Sequence, residues 1–165
     1  EKGGITEFGR SVIRRMEELS LTIDLAHASN LLIDDVLDLT NRPVIVTHTG
    51  VKGVLDSPRN LSDRQIREIA NTGGVIGIGF WEGALGEDIT PAAIARSIKY
   101  VRDLVRIEYV ALGSDFEGAT TTMVDASGMV LITQALMDER FTNDEIRAVM
   151  GGNVIRVLTE TLPNG

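Results

Sequence analysis

The sequence predicts an α/β protein built on parallel strands, and three observations carry that prediction. Four stretches, TIDLAH, PVIVTH, GVIGIGF and YVALGSD, are apolar with no strict alternation, as strands buried on both faces of a parallel sheet are. Amphipathic stretches of helix length separate them. Connections of that length imply right-handed βαβ crossovers, compatible with an open doubly wound sheet or with part of a closed (β/α)8 barrel. Periodicity alone does not choose between the two.

In order along the chain, the pattern predicts helix over 7–19, strand over 21–26, helix over 29–40 and strand over 43–47. Ser62 is an N-cap candidate for a helix over 62–72, followed by a strand from Gly74 to Phe80. Thr90 and Pro91 open a helix running to about 106, because proline is tolerated in a first turn. Residues 109–115 form the fourth strand, and the tail is helical over Ser127–Glu139, Asn143–Met150 and Asn153–Glu160. No linker or low-complexity tract interrupts this rhythm, so residues 1–165 are expected to form one domain.

Composition narrows the function. The 165 residues are 43% hydrophobic, enough for a core, and no apolar run reaches the roughly 20 residues of a membrane span. Acidic residues outnumber basic ones by 24 to 16, giving a net charge of −8, which disfavours nucleic acid as a partner. There is no cysteine, so thiol catalysis is excluded and a transition metal would have to be held by His, Asp and Glu. The chain starts at Glu1 and lacks the basic-then-apolar pattern of a secretory signal; it is expected to be a piece of a longer protein, with the cytoplasm as the favoured location.

Polar residues concentrate at strand ends. His27 follows TIDLA, His48 follows PVIVT and Asp115 follows VALGS. In α/β barrels this C-terminal rim is where catalytic groups converge. One strand–helix–strand step separates the histidines, which places them on neighbouring strands about 4.8 Å apart, near enough to share a metal ion. The alternative is a pair of core histidines satisfied by backbone carbonyls.

Arg59 lies in the Gly-, Ser- and Pro-containing loop after His48, where it either pairs bidentately with a substrate carboxylate or is simply solvated. Asp115, flanked by Gly113 and Gly118, suits a general base or metal ligand, or else a turn aspartate. Glu117 is expected to point outward or support the loop. The glycines of Gly74–Gly79 lie within a strand and do not match a dinucleotide fingerprint; they imply close backbone approach. Trp81 is expected to be a wall or rim residue.

Five segments, in order, carry a resemblance: Asp24-Leu25-Ala26-His27-Ala28-Ser29, Pro43-Val44-Ile45-Val46-Thr47-His48, Pro58-Arg59-Asn60-Leu61, Gly113-Ser114-Asp115-Phe116-Glu117-Gly118 and Gly151-Gly152-Asn153-Val154-Ile155-Arg156-Val157. Together they resemble the membrane dipeptidase (renal dipeptidase, M19) family, bacterial members more than animal ones because Thr-Gly-Val-Lys-Gly follows His48.

The resemblance implies the C-terminal half of a metal-dependent-hydrolase (β/α)8 TIM barrel with a binuclear zinc site that hydrolyses dipeptides, often with a D-residue at the C-terminal position. Carried over, His27 and His48 would ligate one zinc, Arg59 would bind the substrate's terminal carboxylate, and Asp115 would bind substrate and transfer protons. The family's His-x-Asp pair, bridging glutamate and further substrate-binding histidine have no counterpart here, and Glu117 stands where Asp is more usual. Four strands leave two unpaired edges, so the chain is expected to need an N-terminal half or a second copy. The competing readings are a non-catalytic α/β remnant that binds a small molecule or partner, and another metal-dependent amidohydrolase.

Overall fold

The computed structural model describes residues 3–116 and 119–163. Its centre is a four-stranded, wholly parallel sheet in the order β1 (Ile23–Asp24), β2 (Val44–Thr49), β3 (Val75–Ile78), β4 (Val110–Leu112). Consecutive strands are spatial neighbours, and each connection carries a helix: α2 (Asn30–Leu37), α3 (Asp63–Asn71), then α4 (Glu82–Leu85) with α5 (Pro91–Val105). The helix α1 (Glu7–Glu18) precedes β1. After β4 come α6 (Met129–Asp138), α7 (Asn143–Arg147) and α8 (Asn153–Thr161).

Local chemistry explains the helix starts. The Ser62 hydroxyl accepts the Gln65 N–H, while the Gln65 side chain reaches back to the Ser62 N–H, a capping box that fixes α3. Thr90 caps α5, with Pro91 at its first position. Thr142 and Glu145 form a second capping box on α7. Helix α4, a single turn after β3, was not anticipated from the sequence.

Three of the strands are shorter than expected, most of all β1, where only Ile23 and Asp24 pair with β2, whereas β2 runs on to Thr49. The expectation that every strand is buried on both faces holds for β3 and fails for β2. On one face Val44, Val46, Ile76, Ile78 and Val110 join the core formed with α2, α3, α5 and α6. On the other, Ile45 is half-buried and Thr47 exposed. That inner face is covered at the strands' N-terminal ends by α8, whose Val157 packs on Val75 and Ala111.

Two residues tie α8 down. The buried Asn153 donates from Nδ2 to the carbonyls of Ile107 and Val110, and Arg156 donates to those of Gly73, Gly74 and Glu108. The Gly-Gly-Asn-Val-Ile-Arg-Val segment is thus a clasp on the starts of β3 and β4. Among the described residues no helix is long and apolar enough to cross a membrane.

Candidate functional site

The site forms where β1, β2 and β4 end. His48 lies inside β2, one position deeper than the sequence placed it, within the stretch from Val46 to Thr49 where the register against β3 shifts. Glycines make room for it. A Cβ on Gly77 or Gly113 would collide with the Thr47 carbonyl oxygen, and one on Gly113 would also stand 2.9 Å from the His48 Cα. This is the close backbone approach that glycines within a strand imply.

His27 and Asp115 sit just beyond β1 and β4, both in the left-handed backbone region, with φ of 63° and 59°. Only five non-glycine residues among those described have positive φ, and these two belong to the site. Such conformations cost of order 1 kcal/mol or more, persist where surrounding structure imposes them, and cluster at functional sites.

The imidazoles converge. His27 Nε2 and His48 Nε2 lie 2.9 Å apart, with ring centroids at 4.9 Å. Two nitrogens on one tetrahedral zinc, with bonds of about 2.0–2.1 Å, sit about 3.3 Å apart, so the pair has the spacing of two ligands of a single ion. Asp115 Oδ1 is 4.0 Å from His48 Nε2, beyond direct hydrogen bonding but facing the same point. Among the described residues no group of three or more His, Asp or Glu side chains gathers closely enough to hold an ion. The two imidazole nitrogens therefore fit a metal ion in donor type and spacing.

Arg59 closes a third side. Its loop is anchored by the buried Asn60, which donates to the carbonyls of Leu55 and Ala84, and by the Thr49 hydroxyl, which donates to the Arg59 carbonyl. The guanidinium donates to the His48 carbonyl at 3.0 Å and lies 5.8 Å from the Trp81 ring centroid. Burial lowers its pKa, while Asp115 and Asp24 act in the opposite direction. An arginine titrates so high that it keeps its charge. Trp81 also packs edge-on against His48, centroids 5.8 Å apart. It is a wall of the site, touching both neighbours.

Below this rim a hollow of about 340 Å3 runs along the open inner face, between Thr47, His48, Gly113 and Asp115 above and Val157 and Leu158 of α8 below. That volume suits a small molecule. The structure thus brings His27, His48, Arg59 and Asp115 around one point; Glu117 lies outside the described residues. The sequence reading passed over Asp24 and Thr47. Asp24 accepts from the Thr47 hydroxyl at 2.7 Å, from the Thr47 N–H at 3.1 Å and from the Ala26 N–H at 3.0 Å. A carboxylate three positions before a strand-end histidine was the available signal.

A parallel α/β sheet with ionisable groups gathered at its C-terminal rim is the architecture of barrel hydrolases. Comparison with known proteins narrows this class. Residues 1–163 match the family described as membrane dipeptidase (peptidase family M19). Dipeptidase 3 of Mus musculus is 25% identical over 162 residues, 95% of this chain and 33% of the mouse protein. An uncharacterized protein in the pqqA 5′ region of Klebsiella pneumoniae is 29% identical over 163 residues, covering 94% of this chain and 60% of that protein.

Among solved structures, the M19 metallopeptidase dipeptidase AC superposes with a TM-score of 0.89 at 28% identity, over 96% of this chain and 48% of its own. A Rhodobacter sphaeroides metallopeptidase bound to a phosphinate mimic of the dipeptide L-Ala-D-Ala superposes at 0.87, also 28% identical, over 96% of this chain and 47% of that one. The chain belongs to the M19 membrane dipeptidase family, and its fold is the four-stranded parallel α/β arrangement found in those TIM-barrel relatives. It spans between a third and three-fifths of the length of these relatives.

Proposed function

We propose that this chain contributes one side of the active site of a zinc-dependent dipeptidase, cleaving L,L- or L,D-dipeptides into their two amino acids. The observation that carries the reading is the meeting of His27 Nε2 and His48 Nε2 at 2.9 Å on adjacent strand ends, with Arg59 beside them, in a member of this family. The dipeptide mimic bound by the Rhodobacter sphaeroides relative supports the substrate class.

His27 and His48 would hold one zinc through Nε2, and ligands from outside this fold would complete the site. Zinc supplies Lewis-acid polarisation and makes water acidic enough to ionise near neutral pH. Arg59 binds the substrate's terminal carboxylate, which selects very short peptides because the chain must end there. Asp115 takes the proton released as water adds to the scissile carbonyl and delivers it to the departing amine nitrogen as the C–N bond breaks. The hollow beneath the rim and the unpaired edges of β1 and β4 are the surfaces that an N-terminal half-barrel or a second copy would cover.

The test is hydrolysis of a panel of L,L- and L,D-dipeptides by the full-length protein with added zinc, alongside His48→Ala and Asp115→Asn. Asparagine tolerates the left-handed backbone of position 115, so this variant should fold and lose roughly 10²- to 10⁴-fold in rate. A folded, zinc-loaded protein with no activity on any member of the panel would refute the catalytic reading and leave a binding module.

A further inference from the structure

The hydrogen bonds around Thr47 form a chain with a fixed direction. The Asp24 carboxylate can only accept, so the hydroxyl proton of Thr47 points to Asp24 Oδ2 at 2.7 Å. Thr47 has a single hydroxyl proton. Towards His48 Nδ1, 3.0 Å away, its oxygen can then only accept, which requires the proton of a neutral His48 ring to sit on Nδ1. Nε2, the atom that meets His27, is left with its lone pair exposed.

We infer that Asp24 and Thr47 are positioning residues that hold His48 in its metal-ligating tautomer. The inference rests on the proposed metal site. His48 is preset, whereas His27 adapts: with the site empty its Nε2–H donates to His48 Nε2, and that proton must leave for His27 to become a ligand. Outer hydrogen bonds that fix a ligand's tautomer are worth about 10- to 100-fold in metal affinity.

Asp24 also has a purely structural use, because Oδ1 accepts two backbone N–H groups and pins the end of β1 to β2. Asp24→Asn separates the two roles. An asparagine Oδ1 still accepts both N–H groups, but its Nδ2 donates to the Thr47 oxygen. The hydroxyl then turns to donate to His48 Nδ1, which drives the ring proton to Nε2 and blocks the ligand lone pair. Thr47→Val removes the hydroxyl at nearly constant volume, and Thr47→Ser keeps it.

The experiment has two readouts: the ¹⁵N imidazole spectrum of His48 in the metal-free full chain, and zinc affinity by competition with a chromophoric chelator. The expected result is Nδ1–H in the wild type, Nε2–H in Asp24→Asn, and zinc binding weakened about 10- to 100-fold in Asp24→Asn and Thr47→Val, with Thr47→Ser restoring it. A wild-type ring protonated on Nε2, or an unchanged spectrum and zinc affinity in Thr47→Val, would overturn the inference even if Asp24→Asn fails to fold. Wild-type protein that shows Nδ1–H but binds no zinc would instead refute the metal site while leaving the tautomer assignment supported.

Discussion

Removing the amide of Asn153 should destabilise the protein by about 2–3 kcal/mol without touching the rim. Asn153 is 5% exposed and donates from Nδ2 to the carbonyls of Ile107 and Val110 at 2.6 and 2.8 Å. Each such bond has a net value of about 0.5–1.5 kcal/mol, and these two, short and at least partly buried, lie toward the upper end. Two bonds lost together in Asn153→Ala therefore sum to about 2–3 kcal/mol. For a chain of this size that corresponds to a fall in Tm of roughly 5–10 °C.

Asn153→Asp has nearly the same volume, but its carboxylate can only accept and would face two carbonyl oxygens, so it should destabilise at least as much. Urea unfolding followed by circular dichroism, with the m-value held, measures both. A loss below about 0.5 kcal/mol in Asn153→Ala, the size of an ordinary surface substitution, would refute the clasp between α8 and β4.

Three further outcomes are expected. Gly113→Ala forces a Cβ to within 2.9 Å of the Gly77 carbonyl carbon and the His48 Cα; it should cost about 1–3 kcal/mol in thermal unfolding and weaken zinc binding, and unchanged zinc titration would count against the packing of β4 on His48. Arg59→Lys keeps the charge but loses the fork, so steady-state kinetics should show KM raised roughly tenfold with kcat nearly unchanged, whereas equal falls in kcat and kcat/KM would contradict a carboxylate-binding role. The pKa of Tyr100 is raised, chiefly because its hydroxyl donates to Asp63 at 2.7 Å. The neutral phenol is thus favoured in the folded state, and its contribution is full below the unfolded pKa of about 10 and lost as pH rises through the higher folded value. Unfolding midpoints measured from pH 9 upward should therefore fall less steeply for Tyr100→Phe than for the wild type; parallel profiles would refute the coupling.

The rim residues were legible because chemistry and position coincide. A histidine or aspartate at the end of an apolar strand has little structural use, so His27, His48 and Asp115 stood out before any coordinates did. Helix starts were equally readable at Ser62 and Thr90, since capping depends on residues three or four apart. The identity of the family also rested on local segments, among them Pro58-Arg59-Asn60-Leu61, whose order survives in the linear chain.

Other features were out of reach. That β2 carries His48 within the strand follows from a register shift against β3, and register is a property of two chain segments. Asp24 and Thr47 looked like ordinary strand residues because their partnership spans 23 positions in sequence and appears only when β1 lies against β2. The strand lengths and the half-open inner face were also misjudged, since apolar composition shows that a face avoids water without showing what covers it.

Taken alone, the sequence determined the α/β class, the helix starts at Ser62 and Thr90 and the residue types able to bind a metal or a carboxylate, all of which depend on neighbours a few positions apart. Only the tertiary structure decided that two imidazoles meet nitrogen to nitrogen, and that Thr47 links the Asp24 carboxylate to His48 Nδ1. Both depend on strand pairing and on the direction of hydrogen bonds between segments distant in the chain.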